Sequence, residues 1–248
     1  MIIDGRTHVW QRKMPPDSLQ RAYMEPLRAP DGLLDMKQDR EQDFPMSQVD
    51  MELLIQSMKE AGVDKAVILP LDFGLVAKTE VSVEAYNDRV FQNCGSFDNR
   101  LVPFIGIDPN RGTRAVGLVE KYVRNCSAKG VKVYSATGFY PNEERMHEFW
   151  DLMVEYDLVV LTHAGASRGP LDENYSHPIL FGEVLERLPG LKLVIEHLGG
   201  KFRSETYELA RQFSNVYTDC SALQGWLPSE PDCAGQGCGR RSKTCLEE

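Results

Sequence analysis

Three of the chain's five histidines stand in short polar endings that follow apolar, β-rich runs. His8 closes the stretch Asp4-Gly5-Arg6-Thr7-His8. His163 follows Leu158-Val-Val-Leu-Thr162, and His197 follows Leu191-Lys-Leu-Val-Ile-Glu196. Neutral imidazole is a common ligand of divalent transition metals, so three at equivalent positions suit zinc, with manganese as the alternative. Such an ion polarises a carbonyl and acidifies bound water. Taken singly, each His also reads as a hydrogen-bonded core or loop residue.

Four other residues are substrate-binding candidates. Arg6 is a fixed cation that suits an anionic group. Lys132, in the run Gly130-Val-Lys-Val-Tyr134, reads equally as a carboxylate-binding cation and as a surface lysine. Asp219 ends Val216-Tyr-Thr-Asp219, as a substrate contact or as an acceptor behind a ligand. His177 precedes Pro178 in a loop, where it meets either substrate or solvent. His147, beside Glu143, Glu144 and Glu148, reads as a solvated helix face. Cys220 lacks the His and Asn partners of a nucleophile.

These endings act together only if the fold brings them to one place. Seven apolar runs alternate with helical patterns: 2–4, 64–70, 101–107, 130–134, 158–163, 191–197 and 216–219 as strands. Helices are expected over 47–61, 83–93, 113–125, 143–156, 178–187 and 204–213, with Ser47 capping the first and Pro178 opening the fifth. Several strands are apolar throughout, as in a parallel sheet covered by helices. The pattern predicts an α/β fold, a (β/α) barrel or an open doubly wound sheet. No G-x-G-x-x-G loop follows the first strand, which favours the TIM-type barrel and disfavours a nucleotide-binding module. Active sites of such barrels lie at the strands' C-terminal ends, where these polar endings fall.

Composition excludes several classes. The 248 residues carry 28 Lys+Arg against 37 Asp+Glu, a net charge of −9, with no basic stripe for a nucleic-acid backbone. No apolar run approaches the roughly 18 residues that span a bilayer. The first ten residues do not read as a signal peptide, so a cytoplasmic protein is the expectation. Cys94, Cys126 and Cys220 are scattered, whereas Cys233, Cys238 and Cys245 crowd the last 16 residues with no His nearby. That spacing is neither a disulfide framework nor a zinc pattern. Residues 11–46 form a long loop rich in Pro, Asp, Gln and Met, of the kind that walls or covers a site.

The chain resembles the amidohydrolase-related family, the branch of the amidohydrolase superfamily that holds metal-dependent hydrolases and decarboxylases. The stretches that carry the resemblance are Ile2-Ile3-Asp4-Gly5-x-Thr7-His8, Gly130-Val-Lys-Val-Tyr134 with Thr137-Gly-Phe-Tyr-Pro141, Leu161-Thr-His-Ala-Gly165 and Glu196-His-Leu-Gly-Gly200. It implies a (β/α)8 barrel with a mononuclear metal, commonly zinc. It implies His8, His163 and His197 as ligands, and a catalytic part for His163 and His197. It implies hydrolysis of a C–N or C–O bond, or non-oxidative decarboxylation, on a small carboxylated or aromatic substrate; family members are often homodimers.

The chain departs from the family in two places. Arg6 stands where the family has the first His of an H-x-H pair, and a guanidinium has no lone pair to offer a metal. The family's eighth strand, with its metal-binding Asp, has no match. Residues 1–230 read as a seven-strand barrel domain. Residues 231–248 read as a tail without strand or helix periodicity, as a shift of reading frame would produce. The unpaired edges of the first and seventh strands would then be left open. A non-catalytic barrel that binds a small anion through Arg6 and Lys132 is the reading from a different class.

Overall fold

Alternation of short apolar strands with amphipathic helices runs the length of a computed structural model, which describes residues 1–9, 16, 18, 19 and 51–221. The strands are β1 (Ile3–Thr7), β2 (Lys65–Ile68), β3 (Leu101–Pro103), β4 (Ile105–Gly106), β5 (Gly130–Val133), β6 (Val159–Thr162), β7 (Lys192–Ile195) and β8 (Val216–Thr218). The α-helices between them are α1 (Met51–Glu60), α2 (Val83–Cys94), α3 (Thr113–Cys126), α4 (His147–Glu155), α5 (Gly182–Arg187) and α6 (Arg203–Gln212).

Every strand pairs in parallel with its sequence neighbour, in the orders β1-β2-β3 and β4-β5-β6-β7-β8. The stretch expected as one strand over 101–107 is divided at Phe104 and changes partner there. Phe104 N donates to Ile68 O at 2.9 Å, whereas Ile107 N donates to Lys132 O at 3.1 Å. Asn87 of α2 secures the far side of the break, accepting from Gly106 N at 2.9 Å and donating to Gly106 O at 2.8 Å. Gly106 is needed for closeness, because a Cβ there would lie 2.4 Å from the Pro70 carbonyl oxygen.

Two apolar layers show which way the strands face. Val131, Val133, Val160, Leu193 and Ile195 point outward and pack with helix residues such as Leu118, Val119, Trp150 and Leu209. Val67, Leu69, Phe104 and Leu161, with Ile3, Val102, Val159 and Val194, form a separate inner cluster. An inner layer bounded by strands and an outer layer bounded by helices is the TIM-type α/β arrangement. The stripe Ala115, Leu118, Val119 and Tyr122 on α3 has the 3.6-residue spacing that buries one helix face. Each such Leu or Val contributes roughly 1.5–3 kcal/mol by leaving water.

Two expected helices begin with tighter turns. Residues 144–146 precede α4 as a 3₁₀ turn, and Pro178–Phe181 forms another before α5. Pro178 has no N–H to donate, which suits it to that first turn. Ser82 caps α2 through Ala85 N, while Ser47, the cap expected for α1, lies outside the described residues. So do nearly all of the 11–46 loop and the whole 231–248 tail. Among the described residues, β1 pairs only with β2 and β8 only with β7. A cavity of about 510 Å³ opens between them, lined by Ile3, Arg6, Phe104, Leu161, Val194 and Asp219 among others. No helix among the described residues is long and apolar enough to cross a membrane.

Candidate active site

Strand parity delivers the first three side chains. Leu161 and Val194 face the inner cluster, and Lys132 is paired in register with Leu161. Two residues further along each strand are Tyr134, His163 and Glu196, which therefore point inward one layer nearer the C-terminal mouth. Tyr134 and His163 stack with ring centroids 4.2 Å apart and planes 9° apart. Arg6 reaches the same layer from β1.

Glu196 is the hub. Its carboxylate is wholly buried; Oε1 accepts from Arg6 Nε at 2.9 Å, and Oε2 lies 2.7 Å from Lys132 Nζ. His163 Nδ1 and His197 Nε2 approach the same Oε2 at 3.4 and 3.7 Å. Burial opposes the charge on Glu196, but Lys132 and Arg6 outweigh it and hold the carboxyl well below its usual range. Burial pushes Lys132 down to about 8 against the pull of Glu196. It pushes His163 to about 4 and lowers His197, so both imidazoles are neutral at pH 7.

The other ring nitrogens bear on the tautomers. His163 Nε2 lies 3.3 Å from Ala166 O, and His197 Nδ1 lies 2.9 Å from Ser221 O. A carbonyl only accepts, so Nδ1 of His197 carries its hydrogen, while His163 has an acceptor on each side, Ala166 O at Nε2 and Glu196 Oε2 at Nδ1. The His197 ring then turns the Nε2 lone pair toward the site. The three donor atoms of His163, Glu196 and His197 lie within 4.8 Å of one another. Two neutral imidazoles and an ionised carboxylate are a donor set that fits a divalent ion. Asp219 Oδ2 is buried without a hydrogen-bond partner, whereas Glu196 Oε2 has the Lys132 ammonium beside it.

His197 enters the site by an unusual backbone route. His197 (φ 59°, ψ 29°) and Leu198 (φ 51°, ψ 26°) are both left-handed, and Gly199 and Gly200 continue at positive φ. Left-handed conformation costs roughly 1–2 kcal/mol for each non-glycine residue, so the surroundings must hold this turn. Asp219 does so: its Oδ1 accepts from His197 N at 2.9 Å, and its carbonyl accepts from Leu198 N at 2.9 Å.

The expected residues are therefore distributed unevenly. His163, His197, Arg6 and Lys132 meet at Glu196. Lys132 is the buried cation of its two readings, at 1% exposure. Asp219 is bonded to the His197 backbone. His8 stands outside the three-donor group; its Nδ1 is 2.8 Å from Leu69 O, and burial with the nearby Arg6 charge pushes it down to about 3. His177 pairs with Glu205 at 2.8 Å and packs on Phe202, centroid to centroid 3.8 Å. Glu196 was missed among the candidates, although parity from Val194 points it inward.

A parallel α/β barrel with a polar donor cluster at its strand ends defines a class of metal-dependent enzymes. The amidohydrolase family model matches residues 3–234, and the chain belongs to that family. Solved structures agree in fold. A TIM-barrel protein from Bordetella bronchiseptica aligns at TM-score 0.58 and 18% identity over 69% of this chain; the chain spans only 59% of that protein. The 4-oxalomesaconate hydratase from Rhodopseudomonas palustris aligns at 0.52 and 16%, over 89% of this chain and 74% of the other. The 5-carboxyvanillate decarboxylase from Novosphingobium aromaticivorans, solved with manganese and 4-hydroxy-3-methoxy-5-nitrobenzoic acid, aligns at 0.59 and 16%, over 92% and 71%. No curated protein matches significantly.

Proposed function

We propose that this chain is a metal-dependent hydrolase acting on a small carboxylated substrate. The observation that carries the reading is the convergence of two neutral imidazoles and one carboxylate beside two cations, Arg6 and Lys132. His163, Glu196 and His197 would hold the divalent ion, zinc or manganese. When bound, the ion supplies electrophilic polarisation and an acidified water. Arg6 reaches the cavity between β1 and β8, where it can receive a substrate carboxylate while its Nε stays on Glu196. Lys132 keeps Glu196 ionised. The stacked Tyr134 ring shields His163 from solvent. His8 is left as a structural neighbour of the site.

Non-oxidative decarboxylation is the second reading. The fold relative bound to manganese and a nitrobenzoate is a decarboxylase, and the buried cations beside Glu196 suit a carboxylated substrate for that reaction as well. Two measurements test the proposal. Elemental mass spectrometry after exposure to Zn²⁺ or Mn²⁺ and desalting should find a stoichiometric ion, lost in His163→Ala and His197→Ala. A screen of small carboxylates should then show acid release for hydrolysis or CO₂ release for decarboxylation. Anion binding with no metal in any form of the protein would instead favour a non-catalytic barrel.

A further inference from the structure

His197 is held by more than its backbone. Its Nδ1 lies 2.9 Å from Ser221 O and 3.0 Å from Ser221 Oγ. Ser221 Oγ in turn donates to Asp219 Oδ1. The acceptors around the ring place the hydrogens. A carboxylate only accepts, so the hydroxyl hydrogen points to Asp219, and the hydroxyl lone pair faces the imidazole. The Ser221 carbonyl also only accepts. Both contacts therefore require a hydrogen on Nδ1. Asp219 Oδ1 receives two backbone donors as well, His197 N at 2.9 Å and Ser221 N at 3.0 Å. One carboxylate oxygen thus ties together the backbone and, through Ser221, the ring of His197.

We infer that Asp219 and Ser221 are positioning residues that lock His197 in its left-handed turn and in the Nδ1–H tautomer, so that Nε2 meets Glu196 with a lone pair. This rests on the reading that His197 serves the ion or the reacting groups. The chain Nδ1–H to Oγ–H to carboxylate also transmits the negative charge of Asp219 to the ring, which strengthens Nε2 as a donor. Neither residue has to touch substrate. The αL conformation of His197 and Leu198 supports the inference independently. Two adjacent non-glycine residues keep such backbone only where neighbours over-determine it, and Asp219 supplies the acceptor for both amides.

The test is nitrogen NMR of the histidine ring in protein labelled at histidine, with the His197 signals assigned from His197→Gln. The expected wild-type result is a pyrrole-type Nδ1 and a pyridine-type Nε2. Asp219→Ala should turn this into a tautomer mixture while the other four histidines keep their shifts. Ser221→Thr, which retains the hydroxyl, should keep the wild-type signature. If Asp219→Ala fails to fold, Asp219→Asn keeps an acceptor but removes the charge, and its Nδ1 proton should move upfield. A wild-type His197 with its hydrogen on Nε2 overturns the proposal whatever the variants do, as does an Asp219→Ala ring unchanged from wild type. The nitrogen shift is read without turnover, so it stands apart from whether the chain is a hydrolase. In parallel, Asp219→Ala should lose about 10–100-fold in Mn²⁺ affinity.

Discussion

Lys132 Nζ lies 2.7 Å from Glu196 Oε2, and neither side chain has any exposure. Two buried opposite charges do not stabilise a fold simply by being paired, because each gave up its hydration. Breaking such a pair is another matter. Glu196→Gln leaves Lys132 and Arg6 without their counter-ion and should cost about 3–5 kcal/mol, read by urea unfolding. Lys132→Met should cost less, since Arg6 still holds Glu196. Equal losses in the two variants would mean that Arg6 contributes nothing to holding the carboxylate.

The turn after β7 is packed as tightly as it is strained. A Cβ added to Gly199, at φ +79°, would sit 2.0 Å from Thr206 Oγ1. Gly199→Ala should therefore destabilise by about 2–4 kcal/mol, from backbone strain and overpacking together. Thr206→Ala added to it should recover the overpacking part and leave the backbone part. A Gly199→Ala protein with wild-type melting behaviour would show that the turn can relax.

These two sites also show what was legible in the chain before folding. The strands were readable because their Val, Ile and Leu runs face apolar layers on both sides. The α3 stripe was readable from its spacing. His163 and Arg6 could be placed near one mouth because each follows an apolar run, whereas Lys132, inside its strand, read equally as a surface lysine. Glu196 was overlooked because an acidic residue at the end of an apolar run reads as the start of a loop. Strand parity alone would have turned it inward. The left-handed entry of His197 was hidden: nothing in Glu196-His-Leu-Gly-Gly200 requires His197 and Leu198 at positive φ. The division of 101–107 at Phe104 arises from a change of hydrogen-bonding partner, which residue type does not encode.

Asp108 offers a pH test away from the cluster. Burial raises its carboxyl to about 6 from the ordinary 3.8, and its Oδ2 has no hydrogen-bond partner. Between about pH 4 and 6 the folded chain binds this proton more tightly than the unfolded one. Stability from this group is therefore greatest below that window and is lost as pH rises through it. By pH 7 the ionised group costs about 3 kcal/mol. Asp108→Asn keeps the oxygen that receives Asn110 N at 2.9 Å. It should gain roughly 1–3 kcal/mol at pH 7 and nothing at pH 4. Denaturant midpoints for the two proteins across pH 4–8 decide this; parallel profiles would rule it out.

Arg6 is proposed above to receive a substrate carboxylate. Arg6→Gln removes a charge-assisted donor for a carboxylate, worth roughly 1.5–3 kcal/mol, or about 10–100-fold in KM or in the Kd of a competing carboxylate. Arg6→His additionally replaces a fixed cation by a group with a lone pair. It should retain zinc through desalting at least as well as the unaltered chain, as elemental analysis would show. Weaker zinc retention in Arg6→His would mean that the guanidinium orders Glu196 for the ion.

Within each of the two sheets, every described strand after the first pairs with the one made just before it. From β4 to β8 each βα unit can therefore dock on its predecessor as soon as it emerges, with one helical connection to close at each step. The one pairing that would join distant ends of the chain, β8 to β1, is not among them. Assembly of β4 to β8 is in that sense a zipper. Folding rate should accordingly be governed by local helix–strand docking, and the first and last strands should exchange their amide hydrogens sooner than β5, β6 and β7.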